Sequence, residues 1–387
     1  MVKPEKKFLL SQNKNKVKNK KIIVRVDFNV DFAQGRIFDW HRIESVKKTL
    51  AELESAGRII LISHWDNPQP GSRAAKKFSF KRILPQIEKR LRLKIGFLKN
   101  PDEKPNAKIN LLENLRFWPG EKLNDRKFGR RLARLADIYV NEAFSASHRR
   151  HASIVQPPKF LPSYLGPNFE NELKQLNQIF KPKRPLILIL GGAKISTKLP
   201  LIIHFLKKAD LIILGGGLAN TYLKAKGAQV GQSLIEEKTL TKVKSIDSAK
   251  IILPTDFILA NKKETGLDKI KPTDRILDLG RASLELILTK IKSAETIVWN
   301  GPLGYVENKS FQNGTKTLAQ ALAKNKNFVL VGGGDTIAFL NRLGLINRFK
   351  RVSTGGGAML EYLAKENLIG LEAILKSGRK KIPADKP

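Results

Sequence analysis

The segment that decides the fold is Asn-Phe-Val-Leu-Val-Gly-Gly-Gly-Asp-Thr, residues 327–336. Its apolar part has the length and the β-branched composition of a buried parallel strand. The three glycines allow a tight turn and let the backbone approach a ligand closely. Asp335 and Thr336 are favoured at helix N-termini, which attract anions. Taken alone, the segment fits two interpretations: a phosphate-binding turn whose carboxylate holds a metal ion, or a strand-to-helix turn with an ordinary N-cap.

The same junction, an apolar run that ends in glycines, recurs in the second half of the chain. It occurs in residues 186–194, 211–217, 297–302 and 352–358. In an open parallel sheet, ligands bind at the carboxyl ends of the strands, where these junctions would gather. Turns that merely happen to be rich in glycine explain such a set poorly. We therefore predict that this half of the chain binds a phosphorylated ligand.

Alternating strands and helices fill the rest of the chain, whose 387 residues predict two domains. Repeated strand-helix-strand order is typical of parallel sheets with helical crossovers. The predicted fold class is α/β, with two Rossmann-like parallel-sheet domains joined by a hinge helix. The predicted parts are an N-terminal domain over residues 1–165, a connecting helix over 166–185, a C-terminal domain over 186–370, and a tail over 371–387 that returns to the first domain.

The hydrophobic pattern also sets bounds for elements of the first half. The predicted strands are residues 22–30, 58–63, 109–112 and 138–140, and the predicted helices are residues 41–55, 80–91, 124–136 and 168–180.

Composition excludes several classes of protein. The chain has no apolar run near the ~20 residues that a membrane span needs, and its basic N-terminal segment lacks the apolar core of a secretory signal. The absence of cysteine excludes disulfides and cysteine-ligated zinc. We expect a cytoplasmic protein with no membrane partner.

The net charge of +37 is unusual, because such an excess often accompanies nucleic-acid binding. However, residues 1–180 hold 37 basic and 18 acidic side chains, and residues 181–387 hold 35 and 17, so the excess is spread evenly. A nucleic-acid footprint is usually a patch or an arm. We interpret most of this charge as a solvated surface and expect no specific nucleic-acid partner.

The predicted strand ends of the first half carry arginine, histidine and asparagine instead of glycine. Any single arginine there is compatible with an exposed salt bridge. As a set, these side chains suit a small anionic ligand, because arginine presents a planar fork of donors to phosphate and carboxylate. The candidates are Arg25, Asp27, Asn29, Arg42, His64, Arg116, His148, Arg149 and His151.

An arginine-rich site in one domain and a glycine-rich site in the other favour phosphoryl transfer between two ligands that meet when the domains close. The chain contains no Walker A sequence, no GxGxxG fingerprint and no protein-kinase loop signature. The nucleotide site is therefore of another type.

Seven motifs, in order along nearly the whole chain, resemble the phosphoglycerate kinase family. They are Arg-Val-Asp-Phe-Asn-Val (25–30), Ser-His (63–64), Leu-Glu-Asn-Leu-Arg-Phe (112–117), Gly-Gly-Ala-Lys (191–194), Trp-Asn-Gly-Pro (299–302), Gly-Gly-Gly-Asp-Thr (332–336) and Ser-Thr-Gly-Gly-Gly-Ala (353–358). The resemblance implies reversible transfer between 1,3-bisphosphoglycerate with Mg-ADP and 3-phosphoglycerate with Mg-ATP in glycolysis. It also implies closure of two domains about a hinge, and we expect a monomer.

The resemblance further implies roles for individual residues. Those implied to hold phosphoglycerate are Asp27, Asn29, Arg42, His64, Arg116 and Arg149, with Arg25, His148 and His151 in the surrounding basic patch. Those implied to bind the nucleotide are Gly191, Gly192, Lys194, Lys198, Gly215, Gly216, Asn300, Pro302, Gly304, Glu307, Gly333, Gly334, Asp335 and Thr336. Glu307 would take the ribose hydroxyls and Asp335 would hold Mg²⁺. The implied catalytic residues are Arg42, Lys194, Gly334 and Gly357.

The chain departs from the family pattern in the loop after His64, where Trp65-Asp66-Asn67-Pro68 stands in place of the usual Leu-Gly-Arg-Pro, and in two other motifs. Asn67 stands where the family usually has the arginine of Ser-His-Leu-Gly-Arg-Pro, and Asp31 and Arg281 each stand where it has proline. These changes keep the reaction class but put the affinity for substrate in question. Two alternatives stay open: a kinase of a related acyl phosphate, and a basic, non-catalytic homologue that binds nucleic acid.

Overall fold

The structure, a computed structural model, describes residues 4–38 and 40–377, with only the backbone described at residues 73 and 74. It divides into two compact units, Met1–Lys174 with Asn367–Pro387, and Gln175–Glu366. The boundary falls within one helix, Pro167–Asn177. Residues 378–387 of the predicted C-terminal tail lie outside the described residues, and the predicted domain bounds stay predictions.

Six parallel strands form the sheet of the first unit. They are β1 (Lys21–Arg25), β4 (Arg58–Ile62), β5 (Gly96–Leu98), β6 (Ile109–Leu112), β7 (Ile138–Asn141) and β8 (Ser163–Leu165). Their order is β5-β6-β4-β1-β7-β8, which places the early strands β1 and β4 at the centre. A short antiparallel pair, β2 (Phe32–Ala33) and β3 (Arg36–Ile37), is joined by Gln34 and Gly35 at φ of 51° and 75°. Positive φ at both central residues is what such a two-residue hairpin requires.

Helices of the first unit connect these strands. They are α1 (His41–Glu44), α2 (Val46–Glu52), α3 (Leu84–Leu91), α4 (Pro119–Lys122), α5 (Arg126–Ala133), α6 (Ala152–Val155), α7 (Pro167–Asn177), which continues into the second unit, and α15 (Ile369–Ser377).

An aromatic cluster near the carboxyl end of β4 holds the following loop. Trp65 is 2% exposed, stacks on Phe80 and meets Phe32 and Phe78 edge to face, with ring centroids 5.6–6.0 Å apart. Its Nε1 donates to the Val30 carbonyl at 2.9 Å. Edge-to-face and offset aromatic pairs add to the stabilisation from burial. The loop that carries residues 64–67 is therefore anchored to the core.

A second six-stranded parallel sheet forms the centre of the second unit. Its strands are β9 (Leu186–Leu190), β10 (Leu211–Leu214), β11 (Ile251–Ile252), β15 (Thr296–Asn300), β16 (Phe328–Gly332) and β17 (Arg351–Ser353), in the order β11-β10-β9-β15-β16-β17. The helices are α8 (Leu199–Phe205), α9 (Gly216–Ala225), α10 (Leu240–Lys244), α11 (Arg281–Lys292), α12 (Asn313–Lys324), α13 (Gly334–Arg342) and α14 (Gly357–Lys365). All residues of β9 and β15 are buried, as expected for central strands of a sheet covered on both faces.

The predicted α/β class with two parallel sheets is confirmed, with several local corrections. The predicted strand 22–30 ends at Arg25, because the Asn29 N–H turns back to the Asp27 carboxylate at 3.1 Å. The predicted helix 41–55 is interrupted at Ser45, whose hydroxyl donates to the Arg42 carbonyl at 2.8 Å.

One sheet of the second unit was not predicted. It is antiparallel and consists of β12 (Asp256–Leu259), β13 (Glu264–Gly266) and β14 (Ile276–Leu279), in the order β13-β12-β14. In the part of the chain that the structure describes, no helix has the length and apolar character needed to cross a membrane.

Candidate active site

The carboxyl-end edge of the first unit's sheet collects the arginines and histidines that the sequence singled out. Asp27 follows β1, His64 follows β4, Arg116 follows β6, and His148 to His151 follow β7. Because these strands are parallel, their carboxyl ends meet at one edge. We call these residues, together with Asn29 and Arg42, the acceptor edge, after the phosphoryl acceptor that the sequence predicts there.

Asp27 is the central carboxylate of the acceptor edge. Its Oδ2 accepts from Arg42 Nη1 at 2.7 Å and from the Ser145 hydroxyl, and its Oδ1 accepts from the Asn29 N–H. Burial alone would raise the pKa of Asp27, but Arg42, His64 and the hydroxyl of Ser145 lower it to about 2. Asp27 is therefore ionised at neutral pH and fixes the position of Arg42.

Arg25 is completely buried and faces His64. Its Nη2 lies 3.0 Å from His64 Nδ1, its Nε donates to the Ser153 hydroxyl at 3.0 Å, and its Nη1 donates to the Val26 carbonyl. A guanidinium can only donate, so Nδ1 of His64 accepts and its Nε2 carries the proton. Burial and then Arg25 hold the pKa of His64 well below its usual value. His64 is thus a neutral donor through Nε2.

Arg116 combines one satisfied and one unsatisfied donor. Its Nη1 donates to Asn67 Oδ1 at 2.6 Å, while its buried Nε has no hydrogen-bond partner among the described residues. Burial and then Arg149 lower the pKa of Arg116 to about 10, so the side chain stays charged at neutral pH. A buried donor without a partner is costly, which indicates a place for an anionic acceptor.

The loop after β4 accommodates its departures from the family pattern. Asp66 stands at the family's glycine position and adopts φ of 54°, a left-handed conformation that aspartate tolerates better than most residues. Its N–H donates to Asn29 Oδ1 at 2.7 Å, and its own Oδ1 accepts from the Asn67 N–H at 2.7 Å. The loop therefore keeps a turn without glycine.

His151 and Arg149 complete the acceptor edge. Burial, with Arg116, Arg25 and Arg149 nearby, lowers the pKa of His151 to about 3, so this side chain is neutral. Arg149 is exposed, and its Nε lies 3.3 Å from His148 Nε2. Arg149 is therefore open to solvent at this edge.

Sequence reasoning missed three residues that support the acceptor edge. Ser145 binds Asp27, whereas Glu121 accepts from the N–H and hydroxyl of Ser153 at 2.9 and 2.7 Å. Glu121 and Ser153 are fully buried. Burial raises the pKa of Glu121, and Arg25 opposes that rise. No sequence signal marks these residues, because a lone serine or glutamate in a polar stretch is ordinary.

In the second unit, the predicted glycines bring strand-end loops close together. The N–H groups of Gly191, Gly192 and Gly216 donate to the carbonyls of Asn300, Pro302 and Leu303 at 2.8–3.0 Å. A Cβ on Gly191 would lie 2.0 Å from the Pro302 carbonyl oxygen. These glycines are therefore needed for loop packing, and their N–H groups are already used within the protein.

The starts of α13 and α14 differ from these loops, because neither helix has a side-chain cap. Gly333 precedes α13 with φ of 98°, and no side chain caps the helix. Gly356 precedes α14 with φ of 51°, again without a side-chain cap. Gly334 and Gly357, the first residues of the two helices, therefore present N–H groups that suit an anion.

Asp335 lies in the first turn of α13 and is exposed. Its carboxylate makes no hydrogen bond within the described part of the chain, so the interpretation of Asp335 as an ordinary N-cap is wrong. The neighbouring Thr336 is buried, and its hydroxyl accepts from the Gly301 N–H at 2.8 Å. Thr336 thus fixes the loop after β15, whereas Asp335 is available to a ligand.

The two predicted lysines differ in environment. Lys194 is exposed after the Gly191-Gly192 turn. Lys198 is 8% exposed and its Nζ donates to the Gly191 carbonyl at 2.6 Å. Burial lowers the pKa of Lys198 to about 8, and Asp335 partly opposes this.

A cavity of about 250 Å³ lies beside these groups. Six predicted residues line it: Gly192, Gly216, Pro302, Gly304, Glu307 and Asp335. Lys194, Lys198 and Asn300 do not, although Asn300 pairs with Gly332 in the sheet and so lies at the same edge. The sequence did not single out Asp278, which also lines the cavity and accepts from the Gly314 N–H at 3.0 Å. We call this cavity with the starts of α13 and α14 the nucleotide edge.

A metal ion at this edge would depend on a ligand for most of its coordination. Among the residues described here, no group of three or more His, Cys, Asp or Glu side chains could hold a metal. Asp335 offers one free carboxylate. Mg²⁺ is often bound by one or two carboxylates together with substrate phosphates and water. The donor set therefore fits Mg²⁺ that arrives with a nucleotide.

Comparisons with known proteins agree in their result. The family model described as Phosphoglycerate kinase matches residues 12–366. Proteins named phosphoglycerate kinase from Rhodospirillum centenum and Chelativorans sp. are 38% and 39% identical, with 92% and 93% of this chain and 97% of each relative covered. The solved structure of phosphoglycerate kinase from Coxiella burnetii matches with a TM-score of 0.82 at 32% identity, covering 94% of this chain and 98% of that one. The structure from Pyrococcus horikoshii matches with a TM-score of 0.81 at 27% identity, with the same coverage.

Proposed function

This chain belongs to the phosphoglycerate kinase family, and we propose that the acceptor edge binds 3-phosphoglycerate while the nucleotide edge binds ATP or ADP with Mg²⁺. The enzyme catalyses the reversible ATP:3-phosphoglycerate 1-phosphotransferase reaction of glycolysis. We also propose the roles given below for individual residues. In this proposal the enzyme uses Mg²⁺, is a monomer and works in the cytoplasm.

The acceptor edge supplies donors of different kinds to an anionic substrate. Arg149 is exposed, the Nε of Arg116 has no partner among the described residues, and His64 donates through Nε2 without adding charge. The ionised Asp27 suits the hydroxyl of 3-phosphoglycerate, which can donate to a carboxylate. Asp27 holds Arg42, whose role in this proposal is to offset charge on the transferring group.

The chemistry needs alignment more than proton transfer. In the direction that consumes ATP, the nucleophile is the carboxylate of 3-phosphoglycerate, which is ionised at neutral pH, so no general base is required. Catalysis of such a transfer consists mainly of positioning the reactants and offsetting charge. Lys194, Arg42 and the helix starts at Gly334 and Gly357 supply that charge. Mg²⁺ bound with the nucleotide would neutralise part of the phosphate charge.

The observation that carries the nucleotide assignment is the Asp335 carboxylate, which is exposed at a helix start and accepts no hydrogen bond from the residues that the structure describes. The Asp335→Asn substitution should weaken Mg-ADP binding at least about tenfold, since even outer-shell partners of metals contribute that much. Calorimetry with Mg-ADP and with ADP in a chelator measures this. Binding of ADP without Mg²⁺ serves as the control and should change little. Equal Mg-ADP affinity in both proteins would remove Asp335 from the metal site.

A kinase of a related acyl phosphate is the second candidate, because Asn67 replaces the family's arginine. A panel of 3-phosphoglycerate and close analogues separates the two. The proposal requires the highest kcat/KM with 3-phosphoglycerate.

A further inference from the structure

A second basic region lies at the opposite edge of the second unit's sheet. A groove of about 840 Å³ is formed by the segments that precede β9, β15, β16 and β17. In a parallel sheet the amino ends of the strands share one edge. The five residues of β16 separate that edge from the glycine junctions by about 16 Å, at roughly 3.3 Å per residue. The groove is therefore distinct from the nucleotide edge.

The groove is far more basic than the chain as a whole. Among its described lining residues, Glu295 is the one acidic side chain against seven basic ones, whereas the whole chain has 72 basic and 35 acidic residues. The basic residues are Lys181, Lys183, Lys324, Lys326, Arg348, Lys350 and Arg351. In the described part of the chain none of these forms an ion pair with a carboxylate. All but Arg351 are exposed.

Helix-terminal stabilisation explains only part of this charge. Lys324 ends α12, where a cation interacts favourably with the helix dipole. Lys183, Lys326 and Lys350 instead occupy segments that lead into strands, where no helix end accounts for them. Like charges gathered without counter-charges repel one another, so a polyanion would stabilise them.

The spread of the cations favours a chain of phosphates over a single phosphate. They precede β9, β16 and β17, and β15 lies between β9 and β16. With strands about 4.8 Å apart, the outer cations lie on segments separated by roughly 14 Å. A single phosphate is too small to meet donors over that width.

The aromatic residues of the groove argue against nucleic-acid bases as part of the ligand. Single-strand binding proteins stack bases on free aromatic faces. Here the Arg351 guanidinium already lies over the Phe328 ring, 4.2 Å from its centroid. Phe349, the other aromatic residue of the described lining, is 7% exposed.

We propose that this groove binds linear inorganic polyphosphate, a flexible chain of phosphates without bases. The binding is electrostatic, with the three segments around Lys183, Lys326 and Lys350 each contacting successive phosphates. It does not depend on the assignments made for the nucleotide edge.

Two charge-matched variants test the proposal. The groove variant is Lys183→Glu with Lys326→Glu and Lys350→Glu. The control variant, Lys242→Glu with Lys263→Glu and Lys269→Glu, changes three exposed lysines of the same unit outside the groove. Both have the same net charge. Binding of a defined-length polyphosphate is measured by calorimetry with saturating 3-phosphoglycerate and Mg-ADP, which occupy the active site.

The groove variant should lose at least tenfold in polyphosphate affinity and the control at most twofold, with kinase activity unchanged in both. A neutral version, with glutamine at the three groove positions, should reduce the slope of log K against log salt by about 2, at roughly 0.7 per lost contact. A single-stranded RNA with the same number of phosphates should bind more weakly than polyphosphate.

Three results would overturn the proposal. Equal losses of polyphosphate affinity in the two charge-matched variants would mean that polyphosphate is attracted to the overall charge of the protein. RNA that binds as tightly as polyphosphate, and is lost in the groove variant, would make the groove a nucleic-acid surface. Absence of polyphosphate binding to the unmodified enzyme would leave the groove without this ligand.

Discussion

Asn67 replaces a family arginine, and the structure shows what it does instead. Its Oδ1 accepts from Arg116 Nη1 at 2.6 Å, so a neutral side chain holds one donor of an arginine that we propose binds substrate. The Asn67→Arg substitution frees that donor and adds a cation. One charge-assisted hydrogen bond is worth about 1.5–3 kcal/mol, so KM for 3-phosphoglycerate should fall about tenfold or more.

The matched control for this change is Asn67→Leu, which frees Arg116 without adding charge and should alter KM much less. Steady-state kinetics with varied 3-phosphoglycerate compare the two variants. An unchanged KM in the arginine variant would mean that the basic surface already supplies the missing charge. In that case Lys76→Ala, which removes an exposed cation shortly after Asn67 in the sequence, should raise KM.

We expect Lys198 to make nucleotide binding sensitive to alkaline pH. Burial lowers the pKa of Lys198 to about 8, so the free enzyme loses this charge as pH rises through that value. If the ammonium form binds the phosphates, the Kd of Mg-ADP should rise towards about tenfold per pH unit above pH 8. Calorimetry between pH 6.5 and 9.5 measures the profile. Lys198→Arg keeps the charge throughout this range and should flatten it. The same slope in both proteins would exclude Lys198 as its cause.

For individual residues, the sequence singled out side chains that the structure brings together at the acceptor edge, but not the residues that hold them in place. Asp27, His64 and Arg116 stand out because their chemistry is unusual at the end of an apolar run. The bond from Arg25 to Ser153 and the bond from Ser145 to Asp27 join residues 128 and 118 positions apart. Periodicity and spacing carry no information about such pairs before the fold is known.

Among the elements, α7 depends on a carboxylate from outside the helix. Glu142, which follows β7, accepts from the N–H groups of Asn168 and Phe169 at 3.0 and 3.2 Å and from the hydroxyl of Thr49. These N–H groups belong to the first turn of α7 and have no partner within the helix. Glu142 therefore caps the helix whose residues cross from one unit to the other.

Burial raises the pKa of Glu142 to about 7, despite the hydrogen bonds that favour its ionised form. Because the folded pKa lies above the unfolded value near 4.5, the folded state binds more protons between these values. Glu142 therefore makes stability fall as pH rises from about 4.5 to 7, by an amount on the order of 3 kcal/mol. Glu142→Gln removes this dependence.

Denaturant unfolding of the wild type and Glu142→Gln at pH 5 and pH 8 measures the effect. The wild type should lose stability relative to the variant between these two pH values. A difference between the proteins that does not change with pH would contradict the assigned titration.

Long, fully buried strands were predicted more accurately than very short strands or the strands of the antiparallel sheet. The central five-residue runs, such as Leu186–Leu190, were located correctly because continuous burial gives a continuous apolar run. The three-residue strands Gly96–Leu98 and Ser163–Leu165 were missed, since three residues cannot display a period. The antiparallel sheet was missed because its strands lie between glycines and lysines that predict loops.

For the whole molecule, the net charge of +37 proved less uniform in space than along the chain. Because the two halves of the sequence have nearly equal excesses of basic residues, we predicted a solvated surface without a concentrated basic patch. The structure gathers cations from three separate segments into one groove with a single carboxylate among its described lining residues. A charge count along the sequence cannot show this, because only the order of the strands in the sheet brings these segments together.

The division of the chain between the two units also has a consequence for synthesis. Helix α15 belongs to the first unit, where the Gly370 N–H donates to the Ser147 carbonyl at 2.9 Å, next to the loop that bears His148 to His151. Ile369 and Ala373 pack on the same small core as Ala146 and Ile154. The 192 residues from Gln175 to Glu366 are translated between these partners, which takes about 10–40 s at roughly 5–20 residues per second. Most residues of the acceptor edge are therefore translated early. Helix α15, which packs against the loop of His148 to His151, is translated only after the residues of the nucleotide edge.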